Sequence, residues 1–213
     1  MTTILCFGDS NTHGTKPLPA QDAVERHGVE SRWPGVMAAE LGAGFRVIEE
    51  GLPGRTTVHD DPIEGAHMNG LTALPMLVGS HSPLDIVVIM LGTNDLKTRF
   101  SVGAADIAAS LERLVTMLRF YATAPGRTVP KVLLVAPPPI HEVDWLGEKL
   151  LGGRAKSLGL AAAIQASAER LGVAFLDAGD HIAVSPLDGL HYDAAAHRTL
   201  GLAITGAVRE LAG

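Results

Sequence analysis

The fold is decided by a short apolar run, Asp85-Ile-Val-Val-Ile-Met-Leu91. β-branched residues favour strands, and a strand that is apolar on both faces is typical of the centre of a parallel sheet covered by helices on each side. We therefore predict a central strand from Leu84 to Leu91.

Further runs of the same kind occur on either side of this strand and alternate with longer segments of helical period. The alternation is typical of βαβ units and predicts an α/β protein with a parallel sheet. The other predicted strands are Ile4 to Gly8, Phe45 to Glu50, Lys131 to Ala136 and Val173 to Asp177. The predicted helices are Trp33 to Leu41, Leu71 to Val78, Ala104 to Tyr121, Arg154 to Leu171 and Asp193 to Leu211.

Length and composition agree with one folded unit. The chain has 213 residues, of which 46% are hydrophobic and 19% charged, so it can bury a core without disulfides. The single cysteine, Cys6, lies inside an apolar run and is predicted to be a buried hydrophobe. With no repeat or linker in the sequence, residues 1–213 are predicted to form a single domain.

The charge pattern argues against nucleic acid or an anionic membrane as a partner. The net charge is -6 and the basic residues form no stripe, whereas phosphate binding needs clustered Lys and Arg. No apolar stretch reaches the roughly 18 to 20 residues of a membrane span. Met1-Thr2-Thr3 leads straight into the first strand, which predicts a cytoplasmic protein, or one whose leader has been removed.

Chemistry is expected in the loops after the first three strands, since ligands of open parallel sheets bind beyond the carboxyl ends of the strands. The first of these loops is Gly8-Asp-Ser-Asn-Thr12. It presents Ser10 at the strand end, although Gly-Asp-Ser is also common turn and N-cap chemistry. Ser10 is thus a candidate nucleophile whose assignment needs a partner.

The stretch Asp188-Gly-Leu-His191 offers that partner. A carboxylate three residues before a histidine can fold back to hold the Nδ1 proton, which leaves Nε2 free as a base towards a hydroxyl. The alternative is a surface loop that leads into a helix capped by Asp193.

Two more strand ends carry candidate oxyanion donors, Gly54 and Asn94. A glycine allows close approach to a backbone N–H, and an asparagine amide can donate from a neighbouring loop. Each has a plainer interpretation, as a turn glycine and an Asx-turn. The coincidence of four such features at separate strand ends favours the catalytic one.

Together these blocks resemble the SGNH, or GDSL, hydrolase family, whose members carry serine, glycine, asparagine and an aspartate-histidine pair in this order. The stretches that are similar to its bacterial arylesterase and acyltransferase branch are Ser31-Arg-Trp-Pro34, Glu49-Glu-Gly-Leu52, Arg55-Thr-Thr57, Pro83-Leu-Asp85 and Pro137-Pro-Pro139. The similarity extends over nearly the whole chain.

The resemblance implies a flavodoxin-like, three-layer α/β/α sandwich around a five-stranded parallel sheet of order 2-1-3-4-5. It implies a serine esterase that hydrolyses short-chain or aryl esters through an acyl-enzyme, with no cofactor and no metal. Ser10 would be the nucleophile, His191 the base and Asp188 its partner, while Ser10, Gly54 and Asn94 would form the oxyanion hole. The partner is a small-molecule ester. The branch is often oligomeric, which leaves a homo-oligomer open.

Substrate preference depends on the pocket wall, for which the candidates are Asp9, Asn11, His13 and Trp145. The branch usually has an aromatic residue where this chain has His13, and a polar ring there weakens the case for acyl transfer to alcohols or peroxide. Trp145 lies in the long connection Pro137 to Gly153, where it is a candidate for the pocket, the core or an interface.

Three alternatives remain open. One is a deacetylase of acetylated carbohydrates that uses the same triad. Another is a flavodoxin-like protein that binds phosphate or flavin, although only 4% of residues are aromatic. A third is a metal-dependent hydrolase with ligands from His59-Asp-Asp61 and His67, but no metal-binding spacing supports it. We expect those side chains to be solvated loop residues. Lys97 and Arg99, beyond the third strand, are candidates for contact with the substrate, but a solvated face at a helix start is the favoured interpretation.

Overall fold

The computed structural model describes residues 1–122 and 128–213, and within them five parallel strands form one sheet in the order β2-β1-β3-β4-β5. This is the predicted sheet. Its strands are β1 (Thr2–Gly8), β2 (Phe45–Gly51), β3 (Ile86–Met90), β4 (Lys131–Ala136) and β5 (Ala174–Asp177). The central strand β3 is shorter than the predicted Leu84 to Leu91, whereas β4 has the predicted bounds.

Helices cover both faces of the sheet. They are α1 (Ser10–His13), α2 (Trp33–Leu41), α3 (Gly70–His81), α4 (Ala104–Ala122), α5 (Asp144–Lys149), α6 (Gly153–Ser157), α7 (Leu160–Leu171) and α8 (Ala194–Ala212). Because strand side chains alternate between faces, Leu5 and Phe7 of β1 pack towards α3, α4 and α7. Their neighbours Ile4 and Cys6 pack towards α2 and α8. The result is the predicted three-layer sandwich, and Cys6 is a buried free thiol.

Two predicted segments differ from the structure by more than a shift of their bounds. The predicted helix Arg154 to Leu171 is divided into α6 and α7, because the Ser157 hydroxyl accepts a hydrogen bond from the Ile140 N–H (3.1 Å) and Gly159 begins a new helix. The connection Pro137 to Gly153, predicted as a loop, contains the short helix α5. Both differences lie beside the carboxyl end of the sheet, where the pocket forms.

The first turn of α8 illustrates how local sequence sets an element. Asp193 is its N-cap, and its carboxylate accepts a hydrogen bond from the Ala196 N–H at 2.8 Å. Since an N-cap carboxylate also interacts favourably with the positive end of the helix, this helix begins directly after the segment Asp188 to Tyr192.

In the described ranges, no helix combines the length and apolarity needed to cross a bilayer.

Candidate active site

Ser10 lies where β1 turns sharply into the one-turn helix α1. The Asp9 carboxylate accepts a hydrogen bond from the Asn11 N–H at 2.9 Å and so caps this helix. The turn packs tightly against β2, because a Cβ at Gly51 would lie 2.1 Å from the backbone nitrogen of His13. A side chain at residue 51 would therefore displace the serine turn.

Asp188 fixes the histidine loop from several directions. One carboxylate oxygen accepts hydrogen bonds from the backbone N–H groups of Leu190 and His191, each at 3.0 Å. The other accepts the Leu18 N–H at 2.8 Å and the His191 Nδ1–H at 2.6 Å. Burial alone would raise the pKa of Asp188. The hydrogen bonds outweigh burial and bring this pKa below its ordinary value, and the bond from the His191 ring contributes most. The carboxylate is thus held in its charged form.

The two distant segments meet in a hydrogen bond. The Ser10 hydroxyl donates to His191 Nε2 at 3.1 Å, across a separation of 181 residues. Because the acceptor-only carboxylate of Asp188 requires a proton on Nδ1, Nε2 carries the free lone pair. Ser10 and His191 are 6% and 4% exposed, so the pair is largely shielded from water while it opens onto a cavity.

Gly54 and Asn94 border the same cavity as Ser10 and His191. Gly54 has a φ of +89°, a conformation that favours glycine. Its loop is anchored by Arg55, whose guanidinium donates to the carbonyl oxygen of Gly8 at 2.9 Å and lies 4.4 Å from the Phe7 ring centre. Asn94 begins a short 3₁₀ turn in the loop after β3. The structure therefore brings together all five residues predicted for the triad and the oxyanion hole.

The cavity has a volume of about 360 Å³. Its wall is largely apolar on the side of α5, with Trp145, Leu146 and Leu150, and it is polar beside Gly54, where Glu64 and Lys97 lie. His13 and Trp145 line it as predicted. The pKa of His13 lies below its ordinary value, chiefly because the ring is desolvated and secondly because of the positive charges of Arg26 and Arg32. This shift favours the neutral ring.

Asp9 and Asn11, also predicted as pocket residues, lie behind the cavity wall and do not line it. Both are almost fully buried, and neither borders the cavity. The Asn11 amide donates to the carbonyl oxygen of Leu190 at 3.2 Å and so supports the histidine loop. Burial raises the pKa of Asp9 to about 6.

The expectation that Lys97, Arg99 and Asp61 are solvated is wrong. Lys97 and Asp61 are buried, and both cations form ion pairs with carboxylates of the loop after β2. These partners lie more than thirty positions apart, so no local pattern reveals them.

In the part of the chain that the structure describes, no group of three or more His, Cys, Asp or Glu side chains is placed to hold a metal ion.

The chain is similar to known proteins in sequence and in fold. Residues 6–199 match the family model of GDSL-like lipases and acylhydrolases.

The chain belongs to this family.

Solved structures of family members resemble it over almost their full length. The native aryl esterase of M. smegmatis is 43% identical, with 99% of this chain and 100% of that chain covered and a TM-score of 0.94. A carbohydrate acetylesterase from Sinorhizobium meliloti is also 43% identical, with the same coverage and a TM-score of 0.95. A further carbohydrate acetylesterase family member from that organism is 36% identical, with 99% of each chain covered and a TM-score of 0.92. No curated protein sequence matches the chain significantly.

These findings confirm the predicted family and fold, and with them the prediction that the chain is an ester hydrolase of the SGNH type.

Proposed function

We propose that the chain is a serine esterase for short-chain and aryl esters in which Ser10, His191 and Asp188 form the catalytic triad. The observation that carries this proposal is the unbroken chain of hydrogen bonds from the Ser10 hydroxyl through His191 to Asp188, with lengths of 3.1 and 2.6 Å. This arrangement of nucleophile, base and orienting carboxylate is the one that acyl transfer requires.

In the first half of the reaction, Ser10 Oγ attacks the ester carbon while His191 Nε2 accepts the hydroxyl proton. The carbonyl oxygen becomes an oxyanion, for which the N–H groups of Ser10 and Gly54 and the Asn94 amide are the donors. The C–O bond to the alcohol then breaks, and the alcohol leaves with the proton from His191. Ser10 now carries the acyl group as an ester.

In the second half, a water molecule gives its proton to His191 and attacks the acyl carbon. The same donors stabilise the second oxyanion, and Ser10 Oγ leaves with the proton from His191 Nε2. Asp188 holds the Nδ1 proton throughout, so the imidazole keeps one tautomer and stays aimed at Ser10. An alcohol or a peroxide can replace the water, but the polar wall at His13, Glu64 and Lys97 favours hydrolysis.

The test is the Ser10→Ala variant with p-nitrophenyl acetate. Loss of the nucleophile is expected to abolish the burst of p-nitrophenol and to lower kcat by about 10⁴-fold or more. The matched control is Ser80→Ala on the exposed side of α3, for which turnover is expected to match the wild type. Burst release by Ser10→Ala, with the fold intact by circular dichroism, would contradict the triad assignment.

Deacetylation of carbohydrates is a second candidate for the same site. One solved relative that is 43% identical is a carbohydrate acetylesterase, and the Glu64 and Lys97 side of the cavity offers acceptors and donors for hydroxyl groups. A panel of aryl, alkyl and sugar acetates with the wild type and Ser10→Ala separates the two candidates, since both need Ser10 but differ in their ratios of kcat/KM.

A further inference from the structure

Four charged residues join the two loops that carry the candidate oxyanion donors. Asp61 and Glu64 lie on the loop after β2, downstream of Gly54, and Lys97 and Arg99 lie on the loop after β3, downstream of Asn94. We call these four residues the ion clamp. All the carboxylates are on one loop and all the cations on the other, so every ion pair in the clamp bridges the two loops.

Each cation of the clamp contacts both carboxylates. The Lys97 ammonium donates to Asp61 at 3.2 Å and to Glu64 at 2.9 Å. The Arg99 guanidinium donates to Glu64 at 2.9 Å and lies 3.4 Å from Asp61. The four pairs close a ring, which resists displacement of one loop along the other better than a single pair would.

The clamp is shielded from solvent at its centre. The Asp61 side chain is 0% exposed and that of Lys97 8%, so water competes little for these groups, while Glu64 and Arg99 are more accessible. A buried pair of this kind adds little net stability, because desolvation offsets the attraction, but breaking it leaves a charge uncompensated. Two positive and two negative charges also cancel, so the clamp contributes geometry to the site and little net field.

Both ends of the clamp are coupled directly to the oxyanion donors. On one loop, Glu64 Oε2 packs against Gly54, where a Cβ would lie only 2.7 Å from it. The Asp61 carboxylate fixes the turn that presents Glu64 by accepting the Ile63 and Glu64 N–H groups at 2.9 and 3.0 Å. On the other loop, the Lys97 N–H donates to the carbonyl oxygen of Asn94 at 3.3 Å within one 3₁₀ turn.

A second cross-link joins the same two loops closer to the donors in sequence. The buried Asp95 carboxylate accepts the Thr57 N–H at 3.1 Å and the Thr57 hydroxyl at 2.5 Å. Thr57 and Asp95 each lie within a few residues of a donor, Gly54 and Asn94 respectively. The two loops are therefore joined twice after the donors, by the Thr57–Asp95 hydrogen bonds and by the ion clamp.

We infer that the ion clamp sets the spacing of the oxyanion hole and that Lys97 is its principal positioning residue. This inference rests on the proposed function, because it needs the Gly54 N–H and the Asn94 amide to face a developing oxyanion. Such donors contribute only when they are in place before the charge develops, and a displacement of about 1 Å can cost about 10²-fold in rate. Lys97 acts through these donors and does not touch the reacting atoms.

The experiment compares Lys97→Met and Lys97→Arg with the wild type on p-nitrophenyl acetate. Loss of the ammonium is expected to lower kcat by about 10-fold or more, part of the roughly 10²- to 10³-fold cost of losing one donor outright. Although Lys97 borders the cavity, p-nitrophenyl acetate has no hydroxyl group for it to bind. KM should therefore change by less than about twofold, because the ester in its ground state does not depend on the oxyanion donors. Lys97→Arg keeps a cation between the two carboxylates and is expected to retain most of kcat.

The Ki of a boronic acid inhibitor distinguishes a positioning role of Lys97 from a purely structural one. Its boron forms a bond to Ser10 Oγ and places an oxygen where the oxyanion develops, so its Ki should rise in Lys97→Met by the same factor by which kcat/KM falls. The control is Arg170→Met, which removes a cation from the exposed ion pair that joins α7 to Glu112 of α4 and lies outside the cavity lining, and it should leave kcat and Ki unchanged.

The outcomes separate this inference from the proposed function. Suppose that turnover depends on Ser10 but that Lys97→Met keeps the wild-type kcat and Ki, whether or not its KM changes. The positioning role of Lys97 is then wrong, and the triad stands. If Ser10→Ala remains active, the proposed function falls first. Should Lys97→Met not fold, Glu64→Gln carries the test, since it removes charge without volume; an unchanged Ki in that variant would overturn the inference.

Discussion

Asp9, directly before the proposed nucleophile Ser10, is only 2% exposed. Burial raises its pKa from 3.8 to about 6, against the opposing effect of the Asn11 N–H. Between these two values the folded protein binds more protons than the unfolded chain, so the contribution of Asp9 to stability is present below about pH 4 and is lost as the pH rises through 6. Near neutral pH, the buried carboxylate of Asp9 therefore lowers the free energy of unfolding.

The variant Asp9→Asn is expected to reveal this cost. Asn keeps an oxygen for the Asn11 N–H but cannot ionise, so its free energy of unfolding should exceed that of the wild type by about 3 kcal/mol at pH 7. The difference should vanish below about pH 4. Urea unfolding of both proteins at several pH values measures it, and a difference that stays constant from pH 4 to 7 would show that Asp9 is not the titrating group.

Single residues also mark how far sequence reasoning reaches into the site. Ser10 could be proposed from its position at a strand end, and Asp188 and His191 could be proposed from their spacing. Lys97 and Glu64 were not, because each is an ordinary surface type and only the folded chain brings them within 2.9 Å. The same holds for Asn11, whose amide proved to support the Leu190 carbonyl and not the cavity wall.

At the scale of elements, the packing of α2 against α8 depends on one glycine. A Cβ at Gly201 would lie 2.8 Å from Val36 Cβ and 2.9 Å from the Trp33 carbonyl oxygen, whereas a Cβ at Gly206 in the same helix would meet no atom within 4 Å. The two glycines have the same intrinsic cost for a helix, so they differ only in their surroundings.

We therefore expect opposite effects from one substitution within α8. Gly201→Ala should destabilise the protein by about 1 to 3 kcal/mol through overpacking, and Gly206→Ala should stabilise it by about 1 kcal/mol through helix propensity. The free energy of unfolding in urea measures both. Stabilisation by Gly201→Ala would mean that α2 and α8 are farther apart than the structure shows.

Strands were easier to predict than helix breaks. β4 has the predicted bounds because Pro130 and Pro137 flank its apolar run, and α2 has them because Pro34 marks its first turn and Gly42 follows its end. The division between α6 and α7 depends on a hydrogen bond from Ile140 to Ser157, a tertiary contact that helical periodicity does not encode.

At the scale of the whole molecule, the cavity is assembled from segments spread along the chain. Its apolar wall comes from α5, where the Trp145 ring lies beneath the Lys149 ammonium at 4.9 Å. Because pocket shape decides which acyl group fits, we expect Trp145→Ala to raise kcat/KM for p-nitrophenyl hexanoate relative to the acetate by about 10-fold.

The matched control is Leu151→Ala, which removes a side chain that is 67% exposed and does not line the cavity. Its acetate-to-hexanoate ratio should equal that of the wild type. A ratio that moves equally in both variants, or in neither, would show that the α5 wall does not limit acyl length.

The bond between Ser10 and His191 closes a loop of almost the entire polypeptide. Contacts between residues so far apart in sequence are entropically expensive to form before the intervening strands have paired. Catalytic competence is consequently a property of the completed sheet and belongs to no shorter fragment of it. A fragment that lacks either the first strand or the loop from Asp188 to His191 therefore cannot form the proposed pair of nucleophile and base.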